Sequence, residues 1–147
     1  MEIVECTTSP ELDVIMTRKD ATIDYEQLAR RAWEVRSNAR ILGRTAVGCV
    51  VLGASGKLYA GCNIEHQFRS HDIHAETNAI STMISSGERR AVVVMVAAER
   101  ERFTPCGACM DWIFEFGGPD CEVAWQPNPD GRIVIMTAHE LMPFYPR

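Results

Sequence analysis

The sequence has no excess of positive charge and no long apolar run. Lysine and arginine number 15 against 20 aspartates and glutamates among 147 residues, which gives a net charge of −5. A protein that binds nucleic acid along its phosphates needs a basic surface, so this balance excludes a generally basic nucleic-acid binder. The longest apolar run, residues 91–98, is too short to span a membrane. We therefore expect neither a nucleic-acid polymer nor a membrane among its partners.

We also expect no secretory leader, because the first five residues (MEIVE) have neither a basic start nor an apolar stretch. We therefore expect the protein to be cytoplasmic. Its six cysteines should stay reduced in that compartment, so a disulfide framework is not expected. Only Cys106 and Cys109 are close together in the sequence. Of the others, Cys49, Cys62 and Cys121 fall in apolar segments and are expected to be buried thiols, while Cys6 is unassigned.

The length of the chain suits one domain with its own hydrophobic core. Hydrophobic residues make up 46% and charged residues 24%, which is ordinary for a globular protein. Residues 1–23 lack a sustained period and contain Pro10, so we interpret them as an N-terminal extension. Residues 24–147 are then a single domain.

Hydrophobic spacing predicts helices and strands from residue 24 onwards. A three- and four-residue period predicts a first helix from an N-cap at Asp24 to a stop at Gly43. Two strands joined by a Gly-Ala-Ser-Gly turn, over 46–52 and 57–63, predict a hairpin. The later predicted elements are a helix over 74–86, a buried strand over 91–98, a helix over 106–116, strands over 121–126 and 132–136, and a short helix after Thr137. This order predicts an α/β fold, a mixed sheet with helices packed against it.

Two short motifs at predicted helix starts supply the residue types of a zinc site. One is His-Ala-Glu over 74–76, and the other is Pro-Cys-Gly-Ala-Cys over 105–109. Two thiolates and an imidazole are good zinc ligands, and three protein ligands leave a fourth position for water. The positive end of a helix dipole also favours thiolates. We therefore predict that His74, Cys106 and Cys109 bind Zn²⁺.

Glu76 lies two residues from His74, so it points to another sector of the helix and need not bind the metal. It is placed to move protons beside a zinc-bound water. The spacing His-x-Glu followed by Pro-Cys-x-x-Cys is the signature of zinc deaminases, in which the glutamate is the general acid and base. The alternatives are a structural zinc site or a redox pair for the cysteines, and a helix cap for His74. A structural zinc site more typically brings a fourth Cys or His ligand and has no need of Glu76.

With these motifs the chain resembles the cytidine deaminase family over most of residues 24–145. Asn63-Ile64-Glu65 is similar to the family's Asn-x-Glu, which holds the ribose hydroxyls, and the tail over 140–144 is similar to its Glu-Leu-Leu-Pro-Phe ending. Both features resemble the nucleoside branch, which includes blasticidin-S-deaminase-like members. The resemblance implies a three-layer α-β-α fold with a five-stranded mixed sheet. The last two strands, joined by only 127–131, are expected to be antiparallel because a parallel pair needs a longer crossover.

The resemblance also implies an activity and a set of substrate contacts. The activity is zinc-dependent hydrolytic deamination of a cytosine nucleoside to the uracil form, with release of ammonia and with Glu76 moving the protons. The implied substrate-binding residues are Asn63, Glu65, Ala75 and Phe144. For Asn63 and Glu65 the alternative is a polar strand end that satisfies its own turn. The resemblance further implies a homo-oligomer, either a tetramer or a dimer.

Two departures from the family pattern leave the substrate open. Thr45 stands where many members have a phenylalanine that packs on the substrate ring, and the loop over 66–73 is bulkier and more charged than usual. We therefore expect a modified or extended cytosine nucleoside, with Arg69 and His71 as candidates for binding a phosphate. The loop is otherwise a solvated segment or a subunit contact. Further candidates for stacking on a substrate ring are Phe68, Phe103 and Trp125, although aromatic residues at such positions more often belong to the core.

Two other functions stay open from the sequence. The first is deamination of another aminated ring or of a nucleotide, such as a guanine-type base or CMP. Asn63 and Glu65 indicate ribose and therefore argue against a free base. The second is a catalytically inactive zinc-binding protein used in assembly, and Glu76 argues against it because such a protein does not need a proton carrier.

Overall fold

The computed structural model of the protein describes residues 22–102 and 104–146, which form one five-stranded sheet with helices packed against it. Most of the predicted N-terminal extension, with Cys6, and the candidate residue Phe103 lie outside these ranges. In chain order the elements are α1 (Tyr25–Arg36), β1 (Val47–Gly53), β2 (Leu58–Cys62), a 3-10 turn (Arg69–His71), α2 (Ala75–Ser85), β3 (Ala91–Ala98), α3 (Gly107–Gly117), β4 (Glu122–Gln126), β5 (Val134–Thr137) and α4 (Ala138–Leu141).

The strand order is β2-β1-β3-β4-β5. Strand β1 is antiparallel to both β2 and β3, whereas β3 and β4 are parallel and β4 and β5 are antiparallel. The predicted mixed sheet with an antiparallel last pair is therefore confirmed. Because β2 and β3 are both antiparallel to β1, they run in the same direction and their carboxyl ends lie at one edge of the sheet. Helix α2 follows β2 and α3 follows β3, so both helices begin at that edge.

The core lies in two layers, one on each face of the sheet. On one face, Leu28, Ala29 and Ala32 of α1 pack against alternate strand residues, namely Val50, Val93, Met95, Ala97 and Ala124. On the other face, Ala79, Ile80 and Met83 of α2 and Met110 and Ile113 of α3 pack against the intervening ones, namely Cys49, Val51, Val94, Val96 and Val123. This alternation follows from the two-residue period of a strand. It confirms the predicted three-layer arrangement.

Helix α1 ends earlier than its spacing predicts. The prediction extended it to Gly43, but the helix ends at Arg36 and Leu42 is 50% exposed. The amide of Arg40 donates to the carbonyl of Asn63 at 3.2 Å, and the carbonyl of Arg40 accepts from the amide of Glu65 at 2.8 Å. The chain therefore leaves the helix to pair with the segment that follows β2.

Strand β2 packs against α2 at unusually close range. A Cβ atom added to Gly61 would lie only 2.4 Å from the backbone nitrogen of Ala79 and 2.8 Å from the Cβ of Asn78. The side-chain amide of Asn78 donates to the carbonyl of Cys62 at 2.9 Å across this contact. The absence of a side chain at Gly61 thus fixes the distance between the strand and the helix.

All five cysteines in the described ranges are free thiols, and Cys49, Cys62 and Cys121 are buried as predicted. None of the helices within residues 22–102 and 104–146 has both the length and the apolar character needed to cross a membrane.

Candidate active site

The three predicted zinc ligands come together where α2 and α3 begin. His74 is the N-cap residue of α2 and Cys106 is the N-cap residue of α3, while Cys109 lies in the first turn of α3. The Nδ1 atom of His74 lies 3.4 Å from Sγ of Cys106 and 3.3 Å from Sγ of Cys109. The three atoms all lie within 4.8 Å of one another. The shared sheet edge therefore positions all three side chains as one group.

The dimensions of this group fit zinc. A tetrahedral zinc with Zn–S bonds of about 2.3 Å and a Zn–N bond of about 2.05 Å holds its sulfur and nitrogen ligands about 3.5 Å apart. The observed distances of 3.3 and 3.4 Å are close to that value. Because Nδ1 faces both sulfurs, it is the nitrogen of His74 that is placed to bind. Within residues 22–102 and 104–146 the group has three members, and a tetrahedral zinc held by three protein ligands has one position left for water.

Glu76 lies beside the metal ligands in the first turn of α2. Its side chain is 3% exposed, and Oε2 accepts a hydrogen bond from Sγ of Cys109 at 3.5 Å. Burial raises the pKa of Glu76 above the usual glutamate value because the charged form loses its water. Burial likewise raises the pKa of Cys109, and the neighbouring charge of Glu76 adds to this effect. Two thiols next to a buried carboxyl group are the donor set that a divalent cation would stabilise as anions.

A cavity of about 400 Å³ opens in front of these residues. Four of its lining residues are His74, Ala75, Glu76 and Cys106, so the metal group and the buried carboxyl group face the same space. Asn63 and Glu65 line the cavity as well. The volume suits a small organic ligand. The structure thus brings together seven of the eight predicted site residues, six of them in the cavity lining and Cys109 buried within 4.8 Å of His74 and Cys106. Phe144 is the exception.

Asn63 and Glu65 hold the backbone of the segment 42–47, which forms one wall of the cavity. Oδ1 of Asn63 accepts from the amide of Val47, and Nδ2 donates to the carbonyl of Thr45, both at 2.9 Å. The carboxylate of Glu65 accepts from the amides of Leu42 at 2.5 Å and Gly43 at 2.6 Å. The hydrogen bonds from Gly43 and Leu42 lower the pKa of Glu65, and the bond from Gly43 has the larger effect. These contacts match the alternative of a polar strand end that satisfies nearby backbone. Each side chain also faces the cavity, so binding of ribose stays a prediction.

The predicted aromatic contacts lie away from the cavity. Phe144 is 96% exposed and is not part of the cavity lining, so its role as a substrate contact stays a prediction. Phe68 is 67% exposed and packs against the rings of His66 and His71. Trp125 packs against the core layer formed with α2 and α3. Neither Phe68 nor Trp125 lines the cavity in the part of the chain that the structure describes.

Two arginines at the cavity were not predicted from the sequence. Arg44 and Arg100 both line it, and Nη2 of Arg100 donates to Oγ1 of Thr45 at 3.2 Å. They belong to different loops and to no recognisable motif. The one signal in the sequence was the departure at Thr45, which marks this wall as different from that of many family members.

The chain is similar to known proteins over most of its length. Residues 22–124 match the model of the cytidine and deoxycytidylate deaminase zinc-binding region. The chain is 32% identical over 123 residues to a cytidine deaminase of Sporosarcina psychrophila, an alignment that covers 82% of this chain and 90% of that protein. A cytidine deaminase of Halalkalibacterium halodurans is also 32% identical over 123 residues, with 82% and 92% covered. The crystal structure of a cytidine deaminase from Burkholderia pseudomallei has a TM-score of 0.76 and 26% identity, covering 83% of this chain and 98% of that one.

Proposed function

Because the chain belongs to the cytidine and deoxycytidylate deaminase family, we propose that it catalyses the zinc-dependent hydrolytic deamination of a cytosine nucleoside. The products are the uracil nucleoside and ammonia. The observation that carries this proposal is the buried Glu76 beside the His74, Cys106 and Cys109 group in one cavity. A purely structural zinc site has no use for a buried carboxyl group that faces an open ligand pocket.

The metal ligands and Glu76 have different roles in the proposed reaction. His74, Cys106 and Cys109 would hold the zinc ion, which would supply the Lewis acidity that makes water a nucleophile near neutral pH. Glu76 accepts a proton from the water that attacks C4 of the ring and delivers it to ring nitrogen N3. It then takes the proton of the new hydroxyl group on C4 and delivers it to the amino group, so that the C4–O bond becomes a carbonyl while the C4–N bond breaks and ammonia leaves. The position of Glu76 suits this exchange, because its buried carboxyl group lies beside the three candidate metal ligands and faces the cavity.

Three further residues serve to position the substrate in this proposal. Asn63 and Glu65 orient the sugar, and Ala75 keeps the space between the metal group and the cavity wall open because its side chain is small. Hydrogen bonds to the backbone already fix Asn63 and Glu65, so little conformational entropy is lost when a sugar binds. A carboxamide has two N–H donors and two acceptor lone pairs, which leaves Asn63 one of each for a ligand.

We also propose that the chain forms a homo-oligomer, a tetramer or a dimer, in the cytoplasm. Large apolar side chains are exposed on segments that flank the cavity, namely Leu42, Ile64, Phe68 and Ile73. Burial between subunits would remove this apolar surface from water. In such an assembly the exposed Phe144 is available to the cavity of a neighbouring subunit. A reducing compartment suits a site that needs two free thiols as metal ligands.

The test is a deaminase assay on purified protein whose zinc content is known from metal analysis. We expect ammonia to be released from cytidine and deoxycytidine, with the ultraviolet spectrum changing from cytosine to uracil. Glu76→Gln should retain zinc and lose about 10²- to 10⁴-fold in kcat, the usual contribution of a general acid and base. Glu115→Gln, which alters an exposed glutamate of α3, is the matched control and should keep the wild-type rate. Zinc-loaded protein that releases no ammonia, or Glu76→Gln at full rate, would refute the proposal.

A further inference from the structure

The cavity is lined by three arginines although the chain as a whole is acidic. Arg69 is paired with carboxylates, since its guanidinium lies 3.2 Å from Glu65 and 2.9 Å from Asp72. Arg44 and Arg100 have no carboxylate within ion-pair distance among residues 22–102 and 104–146. In the part of the chain that the structure describes, two of the three arginines at the cavity therefore form no ion pair with an acid.

The remaining charges around the cavity leave this excess in place. The negative charge of Glu65 is offset by Arg69. A divalent zinc ion with two thiolates and a neutral imidazole has no net charge. Among the acidic residues that line the cavity within residues 22–102 and 104–146, this leaves Glu76, which is buried. Because Arg44 and Arg100 are exposed at the cavity, they present a positive potential to whatever enters it.

Thr45 connects this charge to the departure from the family pattern. Its hydroxyl oxygen accepts the hydrogen bond from Arg100, which a phenylalanine at the same position cannot do. The carbonyl of Thr45 is in turn held by the side-chain amide of Asn63. The cavity wall thus has no bulky ring at position 45. Instead, the hydroxyl group of Thr45 holds the guanidinium of Arg100 at that wall.

We propose that Arg44 and Arg100 bind an anionic group attached to the sugar of the substrate, so that a charged cytosine nucleoside is preferred over cytidine. This inference rests on the proposed function and names its substrate class. The planar fork of a guanidinium matches both phosphate and carboxylate, so the shared chemistry is an oxyanion that accepts two hydrogen bonds. Arg69, which the sequence suggested as a phosphate-binding residue, is less suited to bind this anion because its guanidinium already forms ion pairs with Glu65 and Asp72.

The kinetic test compares three substrates, namely cytidine, cytidine 5′-phosphate and a cytidine analogue with a carboxylic acid at C5′. The readout is kcat/KM for each charged compound divided by kcat/KM for cytidine. We expect the ratio to exceed one in wild-type protein for at least one charged compound, and the larger ratio identifies phosphate or carboxylate. Arg100→Gln should lower it about tenfold or more, as expected for losing a charge-assisted hydrogen bond. Arg44→Gln should act in the same direction, and Arg100→Glu should lower the ratio further.

The matched control is Arg89→Gln, which removes the same charge from an exposed arginine before the start of β3, at the opposite end of that strand from Arg100. It should leave the ratio unchanged. Added salt should also lower the wild-type ratio, because exposed charges are screened. A wild-type ratio of one or less for both charged compounds, or a ratio that Arg100→Gln does not change, overturns the inference.

Binding of the products separates this inference from the proposed function. Calorimetric titration of zinc-loaded protein with uridine, uridine 5′-phosphate and the uridine analogue with a carboxylic acid at C5′ measures recognition of charge without turnover. Tighter binding of either charged compound that Arg100→Gln removes supports the anion site even if no ammonia is released, in which case only the proposed function fails. Equal binding of all three compounds by a protein that deaminates cytidine overturns the anion site while the function stands.

Discussion

Replacing Gly61 with alanine should push β2 away from α2. The new Cβ would lie 2.4 Å from the backbone nitrogen of Ala79, about 1 Å closer than ordinary van der Waals contact. The atom it meets belongs to helix backbone, so no flexible side chain can rotate aside. The strand and the helix must therefore separate, and the hydrogen bond from Asn78 to the carbonyl of Cys62 must lengthen.

The separation has two measurable consequences. Overpacking of this kind lowers the free energy of unfolding by about 1 to 3 kcal/mol. For a chain of this size that corresponds to a fall in Tm of about 2 to 12 °C. Helix α2 begins at Ala75, directly after His74, so a shift of the helix also moves His74 relative to the two cysteines on α3. We expect zinc affinity to fall about 10- to 100-fold, the range seen when residues that support metal ligands are disturbed.

The assay is thermal unfolding followed by circular dichroism, together with zinc competition against a chromophoric chelator. Gly107→Ala is the matched control, because a Cβ at Gly107 has no neighbour within 4 Å although this residue lies between the two cysteine ligands. It should keep wild-type zinc affinity and gain up to about 1 kcal/mol from the better helix propensity of alanine. A Gly61→Ala protein with wild-type Tm and zinc affinity would refute the reasoning from close packing.

Three further predictions concern the metal, a helix cap and the loss of folding stability at acid pH. Removing zinc with a chelator should lower Tm and adding zinc should restore it, since a ligand at 1,000 times its Kd stabilises by about 4 kcal/mol; an unchanged Tm contradicts zinc binding. Thr137→Ala should lower the free energy of urea unfolding by about 1 kcal/mol, because Oγ1 of Thr137 accepts from the amide of Glu140 at 3.1 Å; no change means that the cap is unimportant. The lowered pKa of Glu65 stabilises the folded protein at pH values above the ordinary value of 4.5, and this stability is lost as the pH falls below it. Glu65→Gln should therefore reduce the loss of folding stability at acid pH. The same dependence of stability on pH in both proteins would exclude this contribution.

The sequence predicts an element best when the same kind of environment covers it along its whole length. Strand β3 has the predicted bounds because it is covered on both faces and therefore reads as one apolar run. The residue types of the candidate metal group were predictable for a related reason, since each of its two motifs is short and stands at the start of a predicted helix. Local information was sufficient for β3 and for each motif, while the fold brings the two motifs together.

The parts that could not be predicted depend on contacts between distant segments. The end of α1 is decided by Arg40 pairing with the backbone of Asn63 and Glu65, which no helical period can reveal. The pairing of Thr45 with Arg100 joins residues 55 apart in the sequence. The loops that carry these residues line one cavity because of the strand order. The positive charge at the cavity could therefore be recognised from the fold and not from the sequence.

The cavity wall over 42–47 is held through atoms that every residue type shares. Asn63 and Glu65 bind the N–H groups of Leu42, Gly43 and Val47 and the carbonyl of Thr45, and none of these atoms changes when a side chain is exchanged. Substitutions at positions 44 and 45 therefore leave the scaffold of the wall in place. Selection can retune which compounds are accepted without disturbing the chemistry, which makes this short stretch the natural target for a directed-evolution library aimed at new nucleoside drugs.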